Sequence, residues 1–355
     1  MEVKRTFDIL EYALKTHDKE VALAGKVNKK WETYSNYEYM EIATSFSYGL
    51  LAMGLKPGDK VAMISNNRPE WNFADMGMGM AGIINVPIYP TLSIEEYKYI
   101  FNHAEPKLLL LSDQNLYKKL KPLADDAVSI TEVYTFNKVD GAKNWKEITD
   151  LGKKNSGRFK DELEKIRAGI KKEDMVTLIY TSGTTGLPKG VSLCHWNLVS
   201  NALATTKVHP FGPESKSLSF LPLCHIYERM LNYHYQYKGI SIYYAESMGT
   251  IVDDLKDVKP DLFSTVPRLL ETVYDKIIGK GKDLPGMKKR IFFWAVNLGM
   301  KFRLHGRISW FYKQRLKVAD KLIFSKWREA LGGNTKIIVS GSAALQPRIA
   351  TIFWA

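Results

Sequence analysis

Cysteine is scarce in this chain. Among its 355 residues only Cys194 and Cys224 occur, each directly before a histidine and inside an apolar run. Because the sequence has no C-x-x-C pair, it predicts a reduced, cytoplasmic compartment rather than a disulfide framework. Metal binding by the two Cys-His pairs would require the fold to bring them together, and their spacing is not typical of a metal site. Packing in the core is the favoured interpretation.

Long apolar runs are missing as well. No run reaches the roughly 18 residues that span a bilayer, and the amino terminus lacks the apolar region and cleavage site of a secretory leader. We therefore expect a soluble protein, or one that lies on a membrane without crossing it. The length exceeds the about 250 to 300 residues at which a single core stops growing. Two α/β subdomains are predicted, over 1–170 and 171–355.

Acidic residues are nearly absent from one segment. Residues 276–328 contain fifteen Lys and Arg but only Asp283 and Asp320, so this segment holds the whole net charge of +13. It also interleaves phenylalanine and tryptophan, and we treat 276–335 as a basic, aromatic insertion. That mixture suits an anionic membrane surface, although a solvated face over a buried helix fits the same pattern. Nucleic-acid binding is not predicted, because no recognition motif accompanies the charge.

The most informative residues are YTSGTTGLPKG at 180–190. This stretch holds four hydroxyl side chains, three glycines and Lys189 between two apolar segments. Glycine lets backbone N–H groups approach an anion closely, and the hydroxyls and the lysine add further donors. The sequence therefore predicts a loop that binds the phosphates of a nucleotide triphosphate.

The loop differs from a Walker A sequence, in which Ser or Thr follows the lysine at the start of a helix. Here Gly190 and the strand-like residues 191–193 follow Lys189, and the apolar residues 175–180 precede the loop. The predicted context is therefore strand, loop, strand. A plain Gly/Thr surface loop is the alternative that composition alone leaves open.

Helical and strand patterns alternate along the first subdomain, which favours parallel pairing in an α/β layer. Two S-x-x-E capping boxes predict helix starts at Ser35 and Ser93, and Pro69 predicts another. Strands are predicted at 61–65, 83–88, 108–111, 217–221, 239–244 and 262–266. Residues 141–174 are polar and lysine-rich and predict a connection between the subdomains.

Several blocks of this sequence resemble the adenylate-forming (AMP-binding) enzymes. TSGTTGLPKG is similar to the signature of that superfamily. Three further blocks resemble its long-chain fatty acyl-CoA synthetases: LPLCHIYER at 221–229, DLKDVKPDLFSTVPRLLETVYDKI at 254–277 and IVSGSAAL at 338–345. The resemblance extends over essentially the whole chain. It implies the layered α/β fold of the family's amino-terminal domain, incomplete at the carboxyl end.

The reaction that the resemblance implies is attack of a long-chain fatty carboxylate on the α-phosphate of ATP with Mg²⁺, followed by transfer of the acyl group to coenzyme A. It assigns His225, Lys189 and Thr184 to catalysis, with Thr184 also near Mg²⁺. The residues assigned to the β- and γ-phosphates are Thr181, Ser182, Gly183, Thr184, Thr185, Gly186 and Lys189. Positioned donors suit phosphate chemistry, which needs charge neutralisation more than covalent help.

The remaining implied site residues lie later in the chain. His225 is expected near the acyl carboxylate and the α-phosphate, with a core histidine as the alternative. Glu228 and Arg229 could simply pair with each other. Val266, Pro267 and Arg268 are expected on the acyl and adenylate wall, unless they only begin a helix. The adenine is expected against Gly341, Ser342 and Ala343, where Ala344 replaces the family's commoner proline.

The carboxyl end lies inside an element. Pro347 predicts a helix start, yet no helix-stop signal appears before Ala355. Members of the resembled family continue into motifs with a ribose-binding Asp and a catalytic Lys, so we expect an amino-terminal portion that is inactive alone. Two alternatives stay open: a fatty acyl-AMP ligase that serves a carrier protein, and a non-catalytic fragment that binds membrane.

Overall fold

The computed structural model describes residues 1–181, 187–303 and 308–355. The chain divides into two compact units. The first comprises Met1–Ser215 and Ser219–Met248, and the second comprises Lys216–Leu218 and Gly249–Ala355. This division lies elsewhere than the predicted boundary between residues 170 and 171, so the subdomain assignment from sequence stays a prediction.

The strands of the described residues are numbered in chain order. They are β1 Leu23–Val27, β2 Lys30–Tyr34, β3 Lys60–Ile64, β4 Ile84–Pro87, β5 Leu108–Leu111, β6 Glu132–Thr135, β7 Lys143–Asn144, β8 Met175–Thr181, β9 Lys189–Cys194, β10 Lys216–Ser219, β11 Ser241–Tyr244, β12 Leu262–Thr265 and β13 Ile337–Ser340.

The helices are α1 Thr6–His17, α2 Asn36–Ala52, α3 Pro69–Met80, α4 Ile94–Ala104, α5 Gln114–Asp126, α6 Lys146–Gly169, α7 His195–Ala204, α8 Ile226–Lys238, α9 Ile251–Val258, α10 Pro267–Lys282, α11 Gly286–Gly299, α12 Trp310–Ala319, α13 Ser325–Ala330 and α14 Pro347–Trp354. A 3₁₀ turn at Thr205–Lys207 follows α7, and a π-helical turn at Asp320–Phe324 joins α12 to α13.

A seven-stranded sheet organises the first unit. Its order is β7-β6-β5-β3-β4-β8-β9, and every neighbouring pair is parallel except the antiparallel hairpin β8–β9. The predicted α/β layer with parallel pairing is thus confirmed. Both predicted capping boxes form, with Ser35 and Ser93 accepting from the amides of Glu38 and Glu96. The central strands are buried on both faces, as in β5, where all four leucines are buried.

Residues 141–174, which the sequence predicts to connect the subdomains, are largely helical. Most of this stretch forms α6, a helix of 24 residues that packs on α2. Its buried residues, Ile148, Gly152, Phe159 and Leu163, fall on one side, and the lysines cover the other. The two helices approach backbone to backbone, because a Cβ at Gly152 would lie 1.8 Å from the Ser45 carbonyl oxygen. Because lysines dominate the composition of this segment, its narrow apolar stripe was not apparent from the sequence.

The second unit has a smaller parallel ladder and a helical layer. β12 pairs with residues 217 and 218 of β10 and with β13, in parallel in both cases. Helices α10 to α14 share an apolar cluster that includes Tyr274, Ala295, Leu298 and Phe324. Pro347 begins α14, as predicted.

Candidate active site

The base of the predicted phosphate loop is the hairpin β8–β9. Thr181, the last residue of β8, pairs directly with Lys189, the first residue of β9, and both are exposed. The predicted strand, loop, strand context is therefore confirmed. Gly190 lies against the strand, since a Cβ there would meet Leu178 Cδ1 at 3.1 Å. The predicted ligands Ser182, Gly183, Thr184, Thr185 and Gly186 lie outside the described residues.

His225 occupies the amino-terminal cap of α8. Its ring is exposed, and Nδ1 accepts a hydrogen bond from the Tyr227 amide at 3.2 Å. Partial burial lowers the pKa of the imidazole. An accepting Nδ1 in a neutral ring leaves the proton on Nε2, so His225 presents one N–H donor to its surroundings. The alternative of a buried core histidine is wrong.

The turn before His225 is held by a residue that sequence reasoning missed. Asn67 donates from Nδ2 to the Leu221 carbonyl at 2.6 Å and accepts at Oδ1 from the Leu223 amide at 3.0 Å. Asn67 follows the carboxyl end of β3, and the phosphate loop follows the carboxyl end of β8. Because β4 alone separates these parallel strands, the carboxyl ends of β3 and β8 lie on the same side of the sheet, two strand spacings or roughly 10 Å apart.

Arg229 ties α8 to the strand before the phosphate loop. Its guanidinium is fully buried and donates to Thr177 Oγ1 of β8 at 2.7 Å and to Asp75 Oδ1 of α3 at 2.6 Å. The Tyr233 hydroxyl also contacts both Arg229 and Asp75. Burial by itself lowers the pKa of Arg229, but Asp75 and Tyr233 outweigh it, so the pKa is raised. The arginine thus stays charged inside the unit.

The suggested pairing of Glu228 with Arg229 is wrong. Glu228 is buried and accepts from the Ser219 hydroxyl at 2.6 Å, whereas Arg229 pairs with Asp75. Consecutive helical residues point about 100° apart, which separates the two side chains. One signal in the sequence could have identified Asp75: it is the carboxylate inside the otherwise apolar second half of α3.

In the second unit, the ends of β12 and β13 bring together the two other groups of predicted site residues. Thr265 pairs with Ser340, and the amide of Gly341 donates to the Thr265 carbonyl at 3.1 Å. Val266 caps α10 and Pro267 is its first residue, so this turn does begin a helix, as the alternative interpretation expected. The expected role of the turn on the acyl and adenylate wall stays a prediction. Arg268 is exposed.

The turn after β13 has two unusual features. Ser342 has a φ of 69°, in the left-handed region that a side chain other than glycine seldom adopts. The hydroxyls of Thr265 and Ser340 are buried and find no hydrogen-bond partner among the described residues. A ligand or an ordered water at this turn would supply the missing hydrogen-bond partners. Ser342, Ala343 and Ala344 are exposed next to them.

Within the described ranges, no group of three His, Cys, Asp or Glu side chains could hold a metal ion. The two Cys-His pairs are engaged separately: Cys194 Sγ contacts Asn197, and His195 Nδ1 accepts from Thr6. Burial raises the pKa of the Cys224 thiol to about 12. Thr184, the residue predicted to approach Mg²⁺, lies outside the described residues.

Solved structures similar to this chain include domains of adenylate-forming enzymes. The chain superimposes with a TM-score of 0.70 and 19% identity on the A-PCP didomain of a carboxylic acid reductase from Segniliparus rugosus, solved in complex with AMP. That match covers 99% of this chain and 52% of the other. The amino-terminal domain of FACL13 from Mycobacterium tuberculosis matches with a TM-score of 0.67 and 15% identity over 99% of this chain and 73% of the other. The predicted fold class is confirmed.

The chain belongs to the AMP-binding enzyme family, whose model matches residues 10–355. It is 31% identical over 332 residues to long chain acyl-CoA synthetase 6, peroxisomal, of Arabidopsis thaliana. The aligned residues cover 90% of this chain and 45% of that protein. It is also 31% identical to the human long-chain-fatty-acid–CoA ligase ACSBG2, over 94% of this chain and 51% of that protein. The chain spans about half the length of these relatives. The predicted family resemblance is confirmed.

Proposed function

We propose that this chain supplies the ATP- and acyl-binding part of a long-chain fatty acid:CoA ligase. The observation that carries the proposal is that two site elements follow carboxyl ends on the same side of the sheet. The phosphate loop follows β8, and Asn67, which holds the His225 turn, follows β3. The names of the relatives support the choice of a long-chain fatty acid and coenzyme A as substrates. Because the chain spans about half of each relative, the complete reaction is proposed for the longer protein.

In the adenylation step, a fatty carboxylate oxygen bonds to the α-phosphorus of ATP, and the bond from that phosphorus to pyrophosphate breaks. We assign the β- and γ-phosphates to Thr181, Lys189 and residues 182–186. Lys189 begins a strand with an exposed side chain, which lets its ammonium group follow the leaving pyrophosphate. Mg²⁺ supplies charge neutralisation when it is bound with ATP, and Thr184 is the proposed contact.

His225 is proposed to act as a donor rather than as a base. Its Nδ1 is committed to the Tyr227 amide, so only Nε2–H is directed outward. A single N–H can orient the fatty carboxylate or stabilise negative charge on the α-phosphate oxygens. This assignment predicts that adenylation changes little with pH above the lowered pKa of His225.

The turns of the second unit are proposed to bind the rest of the adenylate. Val266, Pro267 and Arg268 would form the acyl side, and Gly341, Ser342 and Ala343 would lie against adenine. The left-handed Ser342 and the small side chains beside it leave the backbone open to a flat ring. The buried hydroxyls of Thr265 and Ser340, which have no hydrogen-bond partner in the described part of the chain, support a polar ligand at this turn.

Direct binding of ATP and of palmitate to the 355-residue chain tests the proposal. Lys189→Ala should weaken ATP binding by roughly one to two decades, since a charge-assisted contact contributes about 1.5 to 3 kcal/mol. Palmitate binding should stay nearly unchanged. Lys207→Ala, at another exposed lysine, is the matched control and should leave both affinities intact.

A chain that binds no ATP would overturn this function and leave the non-catalytic alternative. Equal loss of ATP and palmitate binding in the Lys189 variant would instead indicate a folding defect. In the longer protein, product formation separates the two enzymatic classes. A fatty acid:CoA ligase consumes free coenzyme A, whereas a fatty acyl-AMP ligase stops at the adenylate until a carrier protein is added.

We further propose that the basic segment 276–328 lies on an anionic membrane. Part of its apolar content is core, as Phe292 and Leu298 are buried. Trp310 and Phe311 are different: they are 65% and 75% exposed, and their rings pack edge to face. Exposed aromatics beside lysines suit a lipid interface. Among the described residues, no helix is long and apolar enough to cross a bilayer.

Vesicle co-sedimentation tests the membrane proposal. Binding should require anionic lipid and weaken as salt shortens the Debye length from about 10 Å at 0.1 M to about 3 Å at 1 M. It should also fall when Lys288, Lys289 and Arg290 are changed to glutamate. The control is the same reversal at three exposed lysines of α6, namely Lys154, Lys160 and Lys165. Equal binding to neutral vesicles, or no binding to anionic ones, would favour the solvated-face interpretation.

A further inference from the structure

The hydrogen bond between Thr177 and Arg229 joins the strand that leads into the phosphate loop to the helix that carries His225. Thr177 Oγ1 accepts from Arg229 Nη1 at 2.7 Å, and Thr177 precedes Thr181, the last residue of β8, by four residues. Arg229 follows His225 by four residues, so the two lie on one face of α8, and the Arg229 amide donates to the His225 carbonyl at 3.2 Å. One hydrogen bond thus links the loop base to His225.

The orientation of Thr177 is fixed on the side of the sheet. Its hydroxyl is buried and donates to the Asn85 carbonyl of β4 at 2.8 Å, which uses its single proton. β8 is also irregular at this point, because the two steps from Met175 to Thr177 match one step along β9. Bulges of this kind re-aim side chains and are common beside functional sites. The lone pairs of Thr177 Oγ1 therefore remain for the guanidinium of Arg229.

Arg229 is too deep in the first unit to contact a nucleotide itself. Its side chain is fully buried, and its N–H groups donate to Thr177, Asp75 and Tyr233. The carboxylate of Asp75, 2.6 Å from Nη2, balances the charge of the guanidinium where the two meet. An effect of Arg229 on ATP must therefore pass through the elements that it joins, rather than through its own charge.

We propose that Arg229 is a positioning residue for adenylation: through Thr177 it holds His225 where the Nε2–H of the imidazole meets the α-phosphate of ATP. This inference rests on the proposed function of the phosphate loop and of His225. Asn67 anchors the His225 turn to the end of β3, whereas Arg229 anchors α8 to β8, the strand that continues into the loop. The second anchor matters because a displacement of about 1 Å already weakens a directed contact strongly.

The test is a double-mutant cycle on the binding of MgATP to the 355-residue chain, measured by calorimetric titration. Thr177→Val removes the acceptor but leaves Asp75 paired with Arg229, and it should weaken MgATP binding about fivefold. His225→Asn keeps a side-chain oxygen for the Tyr227 amide but withdraws the Nε2 donor, and it should weaken binding about tenfold. In the His225→Asn background, Thr177→Val should change the affinity by less than about twofold, because the donor that it positions is gone.

Three further variants separate positioning from stability. Arg229→Lys keeps a positive charge beside Asp75, but one ammonium group does not reproduce the directed contacts of a guanidinium, so this variant should behave like Thr177→Val. It decides the question if Thr177→Val does not fold. Thr177→Ser retains the oxygen and should bind MgATP like the unchanged chain. Thr135→Val is the matched control, since Thr135 is a buried threonine of β6, four strands from β8 in the same sheet, and should leave the affinity unchanged.

The positioning role is overturned if Thr177→Val weakens MgATP binding equally with and without His225, because the change would then act on the loop directly. It is also overturned if Thr177→Val and Arg229→Lys both bind MgATP like the unchanged chain, or if His225→Asn does. In each of these results the unchanged chain still binds MgATP. Failure of the proposed function is different, because the unchanged chain then binds no MgATP, and the positioning role fails with it.

Discussion

Replacing Arg229 by methionine should destabilise the first unit far more than breaking a surface ion pair would. The side chains of Arg229 and Asp75 are 1% and 2% exposed and lie 2.6 Å apart. Methionine keeps the approximate volume of the side chain but leaves the Asp75 carboxylate buried without its cation. Breaking one side of a buried pair typically costs about 3 to 5 kcal/mol, because the remaining charge is uncompensated.

The structure favours the lower end of that range. Without Arg229, Asp75 still accepts hydrogen bonds from Asn85 at 2.7 Å and from Tyr233. Thr177, by contrast, loses the guanidinium as a donor. We therefore expect a loss of about 3 kcal/mol for Arg229→Met and a smaller loss for Arg229→Met combined with Asp75→Asn, since asparagine carries no charge.

Urea unfolding with far-UV circular dichroism measures the free energy, and hydrogen exchange of the α8 amides reports where the stability is lost. The control is Lys121→Ala at the exposed pair with Asp125, which should cost less than about 1 kcal/mol. A cost for Arg229→Met equal to this control would refute the reasoning. So would a double variant that is less stable than the single one.

Three other outcomes are expected. Burial lowers the pKa of His195 and of His234 to about 4, so as the pH falls below about 6.5 the unfolded chain binds protons that the folded chain does not. Each histidine should therefore lower the free energy of unfolding by about 2 kcal/mol at pH 5. Replacing either histidine by glutamine should remove its part of this pH dependence. Gly152→Ala should destabilise by about 1 to 3 kcal/mol, because its Cβ would meet the backbone of α2, while Gly157→Ala, with open space around it, should stabilise α6 by up to about 1 kcal/mol. The 355-residue chain alone should show no sustained acyl-CoA synthesis from palmitate, ATP and coenzyme A, and steady turnover by the purified chain would contradict this.

Local signals in the sequence predicted most of the elements near the site. The capping boxes at Ser35 and Ser93, the first-turn prolines at Pro69 and Pro347, and the strands on both sides of the phosphate loop all formed near the predicted positions. These features depend on a residue and its neighbours within about four positions. Backbone sterics and cap hydrogen bonds act over that range whatever the rest of the chain does.

The sequence by itself also determined the family and the residue types of the phosphate loop, because these are properties of short contiguous blocks. Only the tertiary structure decided how the site is supported. Arg229 and Asp75 are 154 positions apart, and no local pattern specifies that pairing. Likewise, the lysines of α6 hid the stripe that packs on α2, and the basic segment separated into a buried part and an exposed Trp310–Phe311 pair. Burial and charge pairing are decided by which elements meet in space, and periodicity along the chain does not carry that information.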